Sequence, residues 1–210
     1  MSNPLEQWAN KHQGNFMYKW SQYFDVYHKH FERYRGTNVR ILEIGIYGGG
    51  SLQMWKWYFG KYAQITGMDI DPFCKKYKEH QIKIIIGDQK DEKLLKSLDE
   101  FDIIIDDGGH TMSQQITSFM HLYPTVAKNG LYLIEDTHTS YIPSYIDHNV
   151  TFVDYCKKLV DVMHAHYAGG KFNDFSKMTQ SISFYDSMIV FEKKARKIPK
   201  QTYYAGKERK

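Results

Sequence analysis

The chain has 210 residues, 42% of them hydrophobic, 16% aromatic and 25% charged, which suits one globular domain with a sizeable core and excludes a disordered or fibrous chain. Its net charge of +4 comes partly from Lys193, Lys194, Arg196, Lys197, Lys200, Lys207, Arg209 and Lys210, a basic end read as solvated chain in preference to a nucleic-acid or membrane contact. Cys74 and Cys156 form no C-x-x-C pair, no run approaches the ~18 apolar residues of a membrane span, and no basic-then-apolar leader opens the sequence, so a soluble, cytoplasmic protein is expected.

Residues 1–36 are expected to be a helical segment, 37–194 the main domain and 195–210 a basic tail. Within 5–34, Tyr23, Tyr27 and Phe31 recur at i, i+4 spacing, an aromatic helical face that packs on the sheet or on a second subunit. His28 and His30 in this segment are expected to be exposed. The first strand is 39–44, apolar as a strand covered on both faces should be, apart from Glu43, whose carboxylate needs a donor or a cation. Gly45, Gly48, Gly49 and Gly50 then form a turn that lets a ligand touch backbone, and a helix follows over Leu52–Tyr62. Tyr47 stands where the dinucleotide fingerprint G-x-G-x-x-G needs its second glycine, which argues against NAD, and no nucleoside-triphosphate loop follows.

A second strand, 64–69, ends at Asp69, placed to accept from two ribose hydroxyls, while Asp71 before Pro72 suits a helix cap. A third, 82–86, stops at Gly87-Asp88-Gln89. The fourth, from Phe101, delivers Asp106 and Asp107, and a helix spans 112–127. The fifth, from Gly130, delivers Glu135 and Asp136. Residues 150–167 are expected to be helical, and 181–192 to be two short strands around a Tyr185-Asp186-Ser187 turn. Carboxylates at the ends of these parallel strands share one rim, where ligands of open α/β sheets bind. Asp107, Glu135 and Asp136 cannot crowd together unaided: either they cap helices and pair with lysines, or a hard ion such as Mg²⁺ or Mn²⁺ lies among them.

The stretch Glu43-x-Gly45-x-x-Gly48 resembles the first motif of class I S-adenosylmethionine (SAM)-dependent methyltransferases. That resemblance implies a Rossmann-like α/β fold with a mostly parallel seven-stranded sheet closed by an antiparallel hairpin. It also implies SAM contacts from Glu43, Gly45, Gly48, Ser51, Asp69, Asp88, Gln89 and Asp106, with Asp88 toward the adenine amino group. Ile-Asp-Asp107-Gly-Gly-His110 together with Ile-Glu135-Asp136-x-His-Thr-Ser-Tyr further resembles the metal-dependent sugar O-methyltransferases of macrolide tailoring, the mycinamicin and macrocin type, over residues 10–192. By that resemblance Asp107, Glu135 and Asp136 are metal ligands, His110 is the general base, His138 is its rival, and the acceptor is a hydroxyl of a sugar or glycoside. Gly109 departs from the pattern, where a small hydroxyl residue is expected. A metal-independent small-molecule methyltransferase is the alternative. A nucleic-acid methyltransferase fits less well, because the Asn/Asp-Pro-Pro-Tyr/Phe motif is absent and an acidic rim repels phosphate. A non-catalytic SAM-binding or oligomer-forming module remains the third class, and a homo-oligomer is compatible with any of them.

Overall fold

The computed structural model describes residues 3–202. In chain order its helices and strands are α1 (Pro4–Lys11), α2 (Tyr23–Phe31), β1 (Arg40–Ile44), α3 (Gly50–Phe59), β2 (Gln64–Asp69), β3 (Ile82–Ile86), α4 (Glu92–Ser97), β4 (Ile103–Asp106), α5 (Met112–Leu122), β5 (Leu131–Ile134), α6 (Phe152–His164), α7 (Asp174–Met178), β6 (Thr179–Tyr185) and β7 (Met188–Lys193). They build one seven-stranded sheet in the order β3-β2-β1-β4-β5-β7-β6. The first five strands are parallel, and β7 runs antiparallel to both β5 and β6.

Apolar side chains on alternate strand positions feed two cores, one on each face. Ile41, Ile65, Ile103 and Leu133 meet α1, α2 and α3 through Leu5, Tyr27, Phe31 and Trp55, and Leu42, Ile104, Tyr132 and Phe191 meet α5 and α6 through Phe119 and Phe152. The strand order reverses between β1 and β4, so a crevice opens there at the carboxyl ends of the strands. Gly45 closes its floor: it has φ +89°, and a Cβ on it would collide with the carbonyl oxygen of Asp107.

The N-terminal segment is helical in two pieces and not throughout. It forms α1 and α2 with an extended strap between them, in which Phe16, Tyr18 and Trp20 are exposed while Met17 packs against the core and the Lys19 side chain is buried. That alternation has the period of two of extended chain, not the helical period. His30 is also buried, sharing a 2.9 Å hydrogen bond with the Tyr185 hydroxyl, and His28 is partly covered against Tyr58, so neither is the freely exposed residue expected. The helix expected over 112–127 stops at Leu122, followed by a 3₁₀ turn through Pro124, which lacks the N–H that an α-helix would require. The helix expected over 150–167 runs from Phe152 to His164, opened by Thr151 accepting from the Asp154 amide, and its last turn tightens to 3₁₀ before Gly169 at φ +82°. At the basic end, Lys193 bonds the carbonyls of Pro124 and Val126 and Arg196 bonds that of Thr179; Lys207, Arg209 and Lys210 lie outside the described residues. Among the described residues no helix is long and apolar enough to cross a membrane.

Gly45→Ala is expected to lower unfolding free energy by roughly 1–3 kcal/mol or more, because a left-handed non-glycine residue and a backbone collision would be added together. Urea unfolding checks it; a change below about 0.5 kcal/mol, as for an ordinary surface substitution, would contradict this account of the crevice floor.

Candidate active site

A cavity of about 650 Å³ opens at the crevice and is lined by Gly45, Gly48, Ser51, Asp69, Asp88, Gln89, Asp107, His110 and Asp136, with Phe16, Met17, Tyr18 and Lys19 of the strap on its near side. The glycine loop leads into α3, with Gly49 at φ +78° as its N-cap. Backbone of the strap lies directly on this loop: the Gly50 amide donates to the Phe16 carbonyl at 2.9 Å, and a Cβ at Gly48 would meet the same carbonyl. Asp69, at the end of β2, accepts from the amides of Ile46 (2.7 Å), Tyr47 (3.1 Å) and Asp71 (2.9 Å), so it shapes the loop as well as facing the cavity. Asp71 caps the following turn by accepting from the Phe73 amide. Asp88 faces the cavity and accepts from the Lys90 amide, while Gln89 is buried and bridges Asp106 and the Gly109 amide.

The acids beneath the cavity are gathered around one ammonium. Lys19 Nζ lies 2.5 Å from Asp107 Oδ2, 2.9 and 3.0 Å from the two oxygens of Glu135, and 3.7 Å from Glu43 Oε1, with its side chain 3% exposed. Burial pulls the Lys19 amine down, but Asp107, Glu135 and Glu43 together hold it well above its ordinary range. One ammonium faces three carboxylates, and all three acids are held above their ordinary range. Burial pushes Glu43 from 4.5 to about 7 despite Lys19 and a 2.9 Å hydrogen bond from Ser51. Glu135 is raised strongly by burial and by Asp107, and Asp107 is raised by burial against the pull of Lys19. Tyr27, itself buried, donates to Glu135 at 2.5 Å.

Asp107 and Asp136 divide their oxygens. Lys19 and Tyr23 hold the inner ones, with Tyr23 Oη 2.6 Å from Asp136 Oδ1, whereas Asp107 Oδ1 and Asp136 Oδ2 face His110 Nε2 at 3.9 and 3.4 Å. These outer donors of Asp107, His110 and Asp136 lie within 4.8 Å of one another, a spacing that a metal ion could span. His110 Nδ1 is buried and has no hydrogen-bond partner among the described residues. His138 stands outside the cavity lining, its Nδ1 2.5 Å from Ser187 Oγ and its ring edge-on to Trp20. Tyr47, His110 and Asp136 are three of the six described non-glycine residues with positive φ, and all three line this cavity. Strain of that kind persists where surrounding structure enforces it, and it gathers at functional sites.

The sheet order, the closing antiparallel hairpin and the crevice agree with what the chain is similar to. It superposes on the MycE methyltransferase of the mycinamycin biosynthetic pathway, a complex with Mg, SAH and mycinamycin VI, with a TM-score of 0.81 and 31% identity, over 91% of this chain and 53% of that one. The chain has the class I methyltransferase fold and resembles the macrolide-sugar O-methyltransferases. Among curated proteins, the 8-demethyl-8-alpha-L-rhamnosyl tetracenomycin-C 2'-O-methyltransferase of Streptomyces olivaceus is 34% identical over 198 residues, covering 84% of this chain and 52% of the relative. Demethylmacrocin O-methyltransferase of Streptomyces fradiae is 44% identical over 131 residues, covering 57% of this chain and 32% of the relative. The chain thus spans at most about half the length of the relatives named here. No protein-family model matches it.

Within this methyltransferase fold, Gly45, Gly48, Ser51, Asp69, Asp88, Gln89, Asp107, His110 and Asp136 come together at the cavity, as the sequence reading groups them. Three residues in that reading lie behind the lining. Glu43 and Glu135 are buried on the Lys19 side, and the oxygens of Asp106 are taken by Gln89, Ser118 and Tyr132, so Asp106 braces the wall and does not face the cavity. The sequence pattern does not single out Lys19, Tyr23, Tyr27 and Ser187 as site residues. Gly14 and the alternating Phe16-Met17-Tyr18-Lys19-Trp20 were the available signal for a strap with an inward-facing lysine.

Glu43 yields a pH test. Its folded value of about 7 exceeds the ordinary 4.5, so its contribution to stability is intact below 4.5 and is lost as pH climbs through 7. Glu43→Gln should therefore gain on the wild type between pH 5 and pH 8, by a total on the order of 3 kcal/mol. A stability difference that stays flat across this range would show that Glu43 is ionised throughout.

Proposed function

We propose that the protein is a SAM-dependent O-methyltransferase that methylates a hydroxyl of a sugar, free or within a glycoside, with the help of a divalent ion, Mg²⁺ or Mn²⁺. The observation that carries this reading is the shared cavity: the glycine loop, Asp69 and Asp88 lie along one side, and the Asp107–His110–Asp136 corner along another. The residues suit both groups. A space of about 650 Å³ lies in the range for small-molecule sites, and Gly45 and Gly48 line it. Oxygen-rich donors at the corner suit a hard ion. The rhamnosyl tetracenomycin-C 2'-O-methyltransferase among the similar proteins is named for a sugar-bearing substrate, which supports the same acceptor class.

In this reading Asp69 would accept from the ribose hydroxyls and Asp88 from the adenine amino group of SAM, which supplies the methyl group when bound. Asp107, Glu135 and Asp136 would hold the divalent ion, which supplies Lewis acidity toward acceptor oxygens when bound. Tyr23 fixes Asp136, and the capping box of Thr111 and Gln114 opens α5 directly after His110, which limits the loop's freedom. His110 takes the proton of the attacking hydroxyl. It lines the cavity and faces both acids, whereas His138 is tied to Ser187 and lies outside the lining, which favours His110 as base. A metal-independent small-molecule methyltransferase is the second reading, favoured by one observation: Lys19 already places a cation among the acids.

His110→Ala is expected to lower kcat by about 10²-fold or more while calorimetric SAM binding stays within about twofold, the signature of a lost transition-state interaction. With methyl transfer to nucleotide sugars and glycosides as the assay, excess EDTA should abolish turnover and Mg²⁺ should restore it. Full turnover after chelation would decide for the metal-independent reading.

A further inference from the structure

Both oxygens of Glu135 are engaged, Oε1 by Tyr27 at 2.5 Å and by Lys19 at 3.0 Å, and Oε2 by Lys19 at 2.9 Å, while Asp107 Oδ2 holds the same ammonium at 2.5 Å. An ion bound by Asp107 and Glu135 together needs oxygens at about 2.0–2.1 Å, so it would fall in the space that Nζ fills. Two cations sharing the same carboxylates in a poorly screened interior repel one another. A divalent ion also carries one more positive charge than the ammonium does, toward a cluster in which Glu43, Asp107 and Glu135 all lie within 4 Å of Nζ. We infer that Lys19 is a built-in competitor of the divalent ion. Ammonium and ion exclude one another at these carboxylates, so that ion binding expels Lys19 and the strap that carries it swings outward. This rests on the reading of the acidic corner as a divalent-ion site.

The strap is built for such a movement. Its main chain is fastened at the ends, where the Asn15 amide donates to Gln53 Oε1 at 2.9 Å, the Gly50 amide to the Phe16 carbonyl at 2.9 Å, and the Tyr23 amide to the Trp20 carbonyl at 3.1 Å. Between those fastenings Tyr18 is 70% exposed and Trp20 46% exposed, so Lys19 is the buried polar grip. Met17, Tyr18 and Lys19 also form the cavity wall beside the acids. Expulsion of Lys19 therefore widens the cavity beside the acids.

Two measurements on the full chain test this with MnCl₂ as the probe. Lys19→Met removes the ammonium and keeps the length of the side chain, and calorimetry should show it binding Mn²⁺ about tenfold tighter or more than the wild type, the affinity that competition withholds. In the wild type, limited trypsinolysis read by mass spectrometry should show cleavage after Lys19 accelerating about tenfold when Mn²⁺ replaces EDTA, because a buried lysine becomes available only in the open strap. This second arm needs no variant to fold. Mn²⁺ binding no tighter in Lys19→Met, or unchanged cleavage after Lys19, overturns the inference and makes Lys19 a permanent brace beside the ion. If neither protein takes up Mn²⁺, the divalent-ion reading has failed and the competition falls with it.

Discussion

Parallel strands deliver their carboxyl ends to one edge of a sheet, and here all five of those ends carry buried or half-buried acids, several of which must be kept from repelling one another. Lys19 meets that constraint by lying among Glu43, Asp107 and Glu135. Much of the N-terminal segment is arranged to place it. Leu5 and the Tyr27, Phe31 and Trp55 cluster bolt α1 and α2 to the sheet, Tyr23 and Tyr27 donate directly to Asp136 and Glu135, and the strap spans the distance between the two helices. A buried carboxylate with no partner costs several kcal/mol, so removing the cation or the tyrosines would be felt by the whole edge.

The same edge explains the strained backbone around the cavity. Asp107 and Asp136 can turn one oxygen outward and one inward only if the loops after β4 and β5 bend sharply, and Asp136 takes φ +52° and His110 φ +59° to do so. Thr139 Oγ1 donates to the His110 carbonyl at 2.9 Å and ties the two loops together. At the Gly109 departure, the amide donates to Gln89, and a Cβ would press on the Gln114 side chain, so the histidine is held by backbone and amide side chains in place of a neighbouring hydroxyl. His110 therefore arrives at the corner with Nε2 aimed at both acids, a geometry suited to proton transfer at a hydroxyl held there.

The sheet was legible in the sequence because each parallel strand is a short apolar run ended by an acid or a glycine, and the hairpin because two such runs flank Asp186-Ser187. Asp71 as a cap followed from the proline after it. The site was legible where a residue type at a strand end carries meaning by itself, as with Asp69, Asp88, Asp107 and Asp136. What escaped depends on packing between distant segments. Lys19 looks like any surface lysine until the strap brings it under the cavity, and Tyr23 and Tyr27 look like a plain aromatic face although their hydroxyls reach past the core to acids more than a hundred residues away. Asp106 and Asp107 are adjacent in sequence, but the alternation of a strand sends the first into the α5 side and leaves the second at the crevice. His30 is buried, contrary to expectation, because a polar residue on an aromatic helix can leave water once it finds a hydroxyl such as that of Tyr185.

The central claim is that the glycine-loop side and the acidic corner form one site, the first for SAM and the second for a cation. A crystal structure grown with Mn²⁺ and S-adenosylhomocysteine tests it most directly. The account predicts an anomalous-scattering peak bonded to Asp107 and Asp136, the ribose on Asp69 and the adenine beside Asp88. Absence of that peak with Lys19 still on Asp107 and Glu135, or a cofactor bound elsewhere, would contradict it.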